Sequence, residues 1–127
     1  MNKREIGAAG ETAALNIYLK HGYGLVSRNW HHKRFGEIDL ILSHFDVLNE
    51  KIDGFIVFCE VKLRHEKSLL TPAESVGITK QNRIRKLAEI FIEENTRFQD
   101  FDVRFDVAEV CRCDSGVYKV RILTDAF

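Results

Sequence analysis

The sequence predicts an α/β fold, with elements in the order α-β-β-β-α-β-β, one domain over residues 1–127 and a sheet flanked by helices. Three observations carry this expectation. Apolar residues recur at helical spacing near the start of the chain and again between Ile84 and Ile92. Between them, residues 36–42 and 56–64 are dense in β-branched, aliphatic and aromatic side chains, as strands near the centre of a sheet require. A chain of 127 residues that is 45% hydrophobic and 30% charged, with one proline, suits a single buried core rather than a disordered segment.

In order, residues 3–21 read as a helix, with Ile6, Gly10, Ala13 and Ile17 on one stripe flanked by Ala9 and Ala14. Gly7 and Gly10 each cost about 1 kcal/mol of helix propensity relative to alanine, which makes sense only where a sheet or a ligand approaches closely. Glu11 borders the stripe near Gly7 and Tyr18, either as an ordinary surface glutamate or as a site residue. Gly22 and Gly24 supply the left-handed conformations of a C-terminal cap. Residues 25–30 form a first strand and 31–36 a basic turn. Adjacent in extended chain, His31 and His32 point to opposite faces and read as solvated turn residues rather than a metal pair. Arg28, Lys33 and Arg34 offer phosphate contacts nearby.

The second strand runs from Gly36 to about Ser43. Residues 43–53 are long for a hairpin connection, and their loose alternation lets both strands extend outward before Gly54; the segment is also a candidate partner surface. After the third strand, Thr71-Pro72-Ala73-Glu74 has capping-box spacing with proline at the first helical position. Ile84, Leu87, Ala88, Phe91 and Ile92 carry a helix to about Asn95, with a break or restart at Gly77-Ile78-Thr79. Projected back one turn, the apolar stripe reaches Lys80, which either snorkels to the edge or faces something anionic. Residues 102–110 and 117–123 close the chain as strands around Asp114-Ser115-Gly116. Arg104, Asp106 and Ala108 share one face there, with Val103, Phe105, Val107 and Glu109 on the other. Cys111-x-Cys113 has no matching pair and reads as bystander thiols rather than a zinc site.

The second and third strands carry charge where a central strand should be apolar. With a period of two, Ile38, Leu40 and Leu42 share one face of the second strand, and Glu37, Asp39 and Ile41 the other. In the third, Val57, Cys59, Val61 and Leu63 oppose Phe58, Glu60 and Lys62. If the strands pair as neighbours, Asp39, Glu60 and Lys62 converge on one spot. Such charges are costly to bury unless paired or metal-bound, and carboxylate pairs commonly recruit Mg²⁺. The alternative is a buried salt-bridge cluster, which rarely improves stability over apolar residues.

Basic and acidic residues balance at 19 each, and zero net charge alone argues against an electrostatically driven nucleic-acid binder. The distribution argues otherwise. Lys62, Arg64, Lys67, Lys80, Arg83, Arg85 and Lys86 gather against only Glu66 and Glu74, whereas the acids collect later in the chain. Three cysteines fit a reducing compartment, no run of about 18 apolar residues is present, and the opening residues lack an apolar signal segment, so the expected address is the cytoplasm.

Gly7-Ala8-Ala9-Gly10-Glu11, Gly22-Tyr23, Arg28-Asn29, Gly36-Glu37-Ile38-Asp39-Leu40-Ile41, Phe58-Cys59-Glu60-Val61-Lys62, Lys80 and Arg104-Phe105-Asp106-Val107 resemble the pattern of the YraN family, a bacterial group in the PD-(D/E)XK nuclease superfamily. The resemblance covers almost the whole chain. An aspartate followed at a distance by Glu-x-Lys is a weak signal alone; the Gly-x-x-Gly-Glu helix and the Arg-Phe-Asp strand make it specific.

The resemblance implies a restriction-endonuclease-like core with a central mixed sheet, and a nuclease-like protein, similar to Holliday-junction resolvases, that binds nucleic acid and hydrolyses phosphodiester bonds with Mg²⁺ or Mn²⁺. DNA is the expected partner. On the matching positions, Asp39 and Glu60 hold the ion with the backbone carbonyl of Val61, Glu11 completes the acidic cluster directly or through water, and Lys62 lies beside the attacking water. Lys80 matches a basic position on the second helix, and Arg64, Arg83 and Lys86 are the further nucleic-acid candidates. Two other readings stand beside this one: a non-catalytic nucleic-acid-binding module of the same fold, and a protein-interaction scaffold whose charged cluster is structural. A homodimer is a further expectation, since small metal nucleases often pair to reach two strands. Two departures from the pattern stand out. Twenty residues separate Asp39 from Glu60, a longer link than the family pattern suggests, and residues 65–70 lack the glycine often found there.

Overall fold

The computed structural model describes residues 2–48, 51–64 and 76–127. Helix α1 (Lys3–Lys20) starts at Asn2, whose side chain accepts from the Glu5 N–H at 2.9 Å, and it ends at His21, before Gly22 turns with φ of 86°. Strands β1 (Gly24–His32), β2 (Gly36–Leu48) and β3 (Lys51–Leu63) follow as an antiparallel meander. Helix α2 (Ile78–Glu94) then crosses over to β4 (Asp102–Arg112), which lies parallel to β3, and β5 (Tyr118–Leu123) returns antiparallel. A parallel pair needs such a crossover, because no tight turn can reverse the chain twice. The sheet is therefore mixed, in the order β1-β2-β3-β4-β5.

The helices cover opposite faces. Ala14, Leu15 and Tyr18 of α1 pack on Leu40, Leu42, Val57, Cys59, Ala108 and Val110. Leu87, Ala88 and Phe91 of α2 pack on Ile41, Ile56, Phe58 and Ile38 of the other face. Strand β4 is sandwiched between them, so Asp106 through Cys111 are all buried, the pattern of a strand covered on both sides. Burying Asp106 costs several kcal/mol unless its carboxylate is satisfied. It receives the Tyr18 hydroxyl at 2.7 Å, two Arg104 N–H groups at 2.9 Å and the Asp125 N–H at 3.1 Å. Arg104-Phe105-Asp106 is thus a buried clamp joining α1, β4 and the C-terminal turn.

Several expectations shift. The buried stripe of α1 is Gly10, Ala14, Leu15 and Tyr18 rather than Ile6, Gly10, Ala13 and Ile17. Tyr18 counts as interior because its hydroxyl reaches Asp106, and the helix rotates to bring it there. Gly10 resolves the question of close approach: a Cβ at that position would lie 2.6 Å from Leu63, so the sheet is what comes near. Strands β2 and β3 do extend outward, pairing as far as Leu48 with Lys51. The capping box at residues 71–74 lies outside the described residues; α2 begins after Gly77, at the expected restart.

Ile38 also departs from expectation. Arg28 pairs with Leu40, and both face α1; Trp30 pairs with Ile38, and both face α2. Residues two apart on a strand should share a face. Here both strands cross from one face to the other between these pairs, at Asn29, which adopts the left-handed region with φ of 54°, opposite Asp39. Asparagine tolerates that conformation better than most residues.

Candidate active site

The β1–β2 crossover sets the position of Asp39. The β2–β3 ladder has its last pair at Leu40 and Cys59, beyond which β2 leaves β3. In the gap, the Asp39 side chain replaces the departed backbone: Val61 N–H donates to Asp39 Oδ2 at 2.8 Å. A pocket of about 160 Å³ opens there, lined by Glu37, Asp39, Glu60 and Arg83 with Ile38, Cys59 and Ile84. Removal from water pushes the Asp39 carboxyl up to about 6, reinforced by the carboxylates of Glu11, Glu60 and Glu37 and opposed by the Val61 hydrogen bond.

Two of the three neighbouring acids, Glu60 and Glu11, are paired with cations. Glu60 is bridged by Lys80 from the first turn of α2, and its side chain is only 14% exposed against 41% for Lys80. This decides between the two readings of Lys80: the core-register lysine faces a carboxylate. Glu11, on the sheet side of α1, meets Arg28 Nε at 3.5 Å, while Arg28 also donates to the Ala8 carbonyl at 2.6 Å. Arg83 lines the pocket and donates to the Phe35 carbonyl at 3.2 Å, passing beneath Gly36, whose φ of 98° and lack of a Cβ leave room for it.

Asp39, Glu60, Arg83 and Lys80 therefore assemble, with Glu11 near enough to influence Asp39. Lys62 lies one step further along the same face of β3, outside the pocket lining, and makes no ion pair with a described residue. Arg64 and Lys86 lie elsewhere. Arg64 is drawn to Glu109 at 3.7 Å, which Arg121 also meets at 3.0 Å, and Lys86 pairs with Glu89 on the open side of α2. Glu37 is the acid that sequence reasoning leaves out of the cluster, and Arg28, read as a nearby phosphate contact, meets Glu11 instead. Strand periodicity puts Glu37 on the same face as Asp39, the signal that places it in the cluster.

No three His, Cys, Asp or Glu side chains among the described residues are gathered into a ready cage for a metal. What the pocket offers is a group of carboxylate oxygens in which Asp39, withdrawn from water, and the more exposed Glu37 make no ion pair with a described residue. That set suits a hard divalent ion that keeps most of its waters, as Mg²⁺ does with one or two carboxylates. Among the described residues, no helix is long and apolar enough to cross a membrane.

Comparison with known proteins places this geometry in context. The profile of the family described as "Uncharacterised protein family UPF0102" matches residues 10–110. A UPF0102 protein of Caldicellulosiruptor bescii is 38% identical over the full length of both chains. One from Acetivibrio thermocellus is 37% identical, covering 99% of this chain and 93% of its own, and one from Natranaerobius thermophilus is 34% identical over all of both.

Proposed function

Because the chain belongs to the UPF0102 family, the YraN-like group, we propose that it is a metal-dependent nuclease-like protein that binds nucleic acid and hydrolyses phosphodiester bonds at the Asp39–Glu60 pocket. The observation that carries the reading is Asp39 itself. A carboxylate desolvated beside three others, at the point where two strands part, destabilises the fold unless a cation compensates it.

Asp39 and Glu60 would hold a divalent ion, with Glu11 nearby. The N–H and C=O of one strand residue point to the same side, so the Val61 carbonyl is directed into the gap where its N–H meets Asp39 and is a suitable third ligand. A bound Mg²⁺ or Mn²⁺ supplies Lewis-acid polarisation of a phosphoryl oxygen and a more acidic water. The chain's own residues do the rest. Lys80 lets go of Glu60 and turns its ammonium to the substrate phosphate, and Arg83 offers a second cation at the pocket wall. Lys62, beyond the lining on the same strand face, orients the attacking water once substrate fills the site.

The ion pairs of Glu60 with Lys80 and of Glu11 with Arg28 favour a second reading, a nucleic-acid-binding module without hydrolysis, because they neutralise two acids with no metal. One experiment separates the two. Branched, single-stranded and duplex DNA and RNA are incubated with the protein, with and without Mn²⁺, beside Asp39→Ala and Lys62→Ala, while thermal unfolding is followed in parallel. Mn²⁺ should raise the melting temperature of the wild type but not of Asp39→Ala, and cleavage should vanish in both variants. Salt-dependent binding with no Mn²⁺-dependent cleavage of any substrate would select the module; neither binding nor a Mn²⁺ response would leave a structural cluster.

A further inference from the structure

A second cleft lies along α2 from the acid pocket. Its volume is about 600 Å³, and it is formed where the β1–β2 turn meets the C-terminal half of the helix. Three flat rings build one wall. His32 and Phe35 stack with centroids 5.4 Å apart and planes inclined by 27°, and Trp30 lies 6.4 Å from His32. Each ring is fixed by something else. Trp30 rests edge-on against Phe91 of the core at 5.2 Å, the Arg34 N–H donates to His32 Nδ1 at 3.3 Å, and the Phe35 N–H donates to the His32 carbonyl. Lys33 and Arg34 stand exposed at the rim, and Glu94 faces them from the end of α2.

We infer that this cleft binds an unpaired nucleotide, so that the substrate is a nucleic acid with a single-stranded arm or branch. The inference rests on the proposed nucleic-acid function and deepens it. The three rings are half-buried in the cleft lining, so their uncovered surface can stack on a base, while lysine and arginine at the rim meet its phosphates. Glu94 makes the occupant more specific: a carboxylate repels a bare phosphate but accepts from a base amino group. A paired base inside a duplex has no free face to offer these rings. The cleft also adjoins the acid pocket through the chain itself, because Arg83, in the pocket wall, is bonded to the carbonyl of Phe35. An unpaired arm seated here would thus hold the neighbouring backbone near Asp39 and Glu60.

Trp30 is the only tryptophan in the chain, so its emission reports on this cleft as long as the protein stays folded. The full-length protein in chelator is titrated with a short single-stranded DNA, the matching RNA and the blunt DNA duplex, reading tryptophan emission together with the anisotropy of a labelled strand. The expected result is strong quenching by one or both single strands and none by the duplex, with single-strand affinity higher by roughly tenfold. His32→Ala should remove that preference while leaving duplex binding. Because Trp30 also packs on the core, Lys33→Ala serves as the second variant and should weaken single-strand binding without altering unfolding. Equal affinity for single strand and duplex, or unchanged emission, overturns the inference. If Asp39-dependent cleavage of duplex persists in that case, the nuclease reading survives alone. If single strands quench and nothing is cleaved, the cleft stands and hydrolysis falls.

Discussion

Replacing Asp39 by asparagine should stabilise the metal-free protein at neutral pH. Asparagine keeps an oxygen to accept the Val61 N–H and discards the charge that the pocket penalises. Moving a carboxyl from 3.8 to about 6 corresponds to about 3 kcal/mol between its protonation states. Solvent at the pocket mouth and the nearby ammonium and guanidinium groups reduce this to about 1–2 kcal/mol. The sign follows from the direction. A carboxyl whose folded value lies above its unfolded value favours folding when protonated; that contribution is complete below 3.8 and is lost as pH rises through about 6. The wild type therefore loses stability across this window and the variant does not, so their urea midpoints coincide near pH 4, diverge through pH 6 and run parallel above about pH 7. Unfolding monitored by Trp30 emission at a series of pH values measures the gap. A gap that does not change with pH, or a variant less stable than the wild type at pH 8, would refute the claim that the Asp39 charge is held against solvation.

Tyr18→Phe should cost about 1–3 kcal/mol in urea unfolding, because it removes a donor from the buried Asp106 carboxylate; a change below 0.5 kcal/mol would show the clamp to be dispensable. Asn29→Val should cost about 1–2 kcal/mol through its left-handed backbone and should also abolish Mn²⁺ stabilisation, since the crossover aims Asp39; retained Mn²⁺ binding would separate the two. Lys80→Met removes the internal competitor for Glu60, so calorimetry should find Mn²⁺ affinity higher, by up to about fivefold for a pair this exposed, alongside weaker binding of nucleic acid. Weaker Mn²⁺ binding would instead show that Lys80 supports the acidic cluster.

Much of this architecture could be read from residue order. The β-branched content of β2 and β3 identified them as central strands, their adjacency brought Asp39 and Glu60 to one pocket, and the apolar stripe of α2 left Lys80 either at the edge or facing an anion, which the structure supplies as Glu60. Periodicity failed where a polar group or an unusual torsion intervened. The α1 stripe was misplaced because Tyr18 is buried by its hydroxyl's partner, eighty-eight positions away, which no local pattern encodes. Ile38 was put on the wrong face because a single left-handed residue on the adjoining strand moves both strands across the sheet. Arg104 and Asp106 belong to the family pattern, and their bonds to Tyr23 and Tyr18 make them part of the scaffold.

The Asn29 crossover has an evolutionary corollary. Core packing under both helices is spread over many side chains, whereas the aim of Asp39 hangs on one backbone torsion in a neighbouring strand. A relative that relaxed that torsion would keep its hydrophobic interior and its shape but point the aspartate elsewhere. If the proposed hydrolysis is real, its loss without loss of fold is therefore one substitution away, and the residue at that position is the first to inspect when family members are compared.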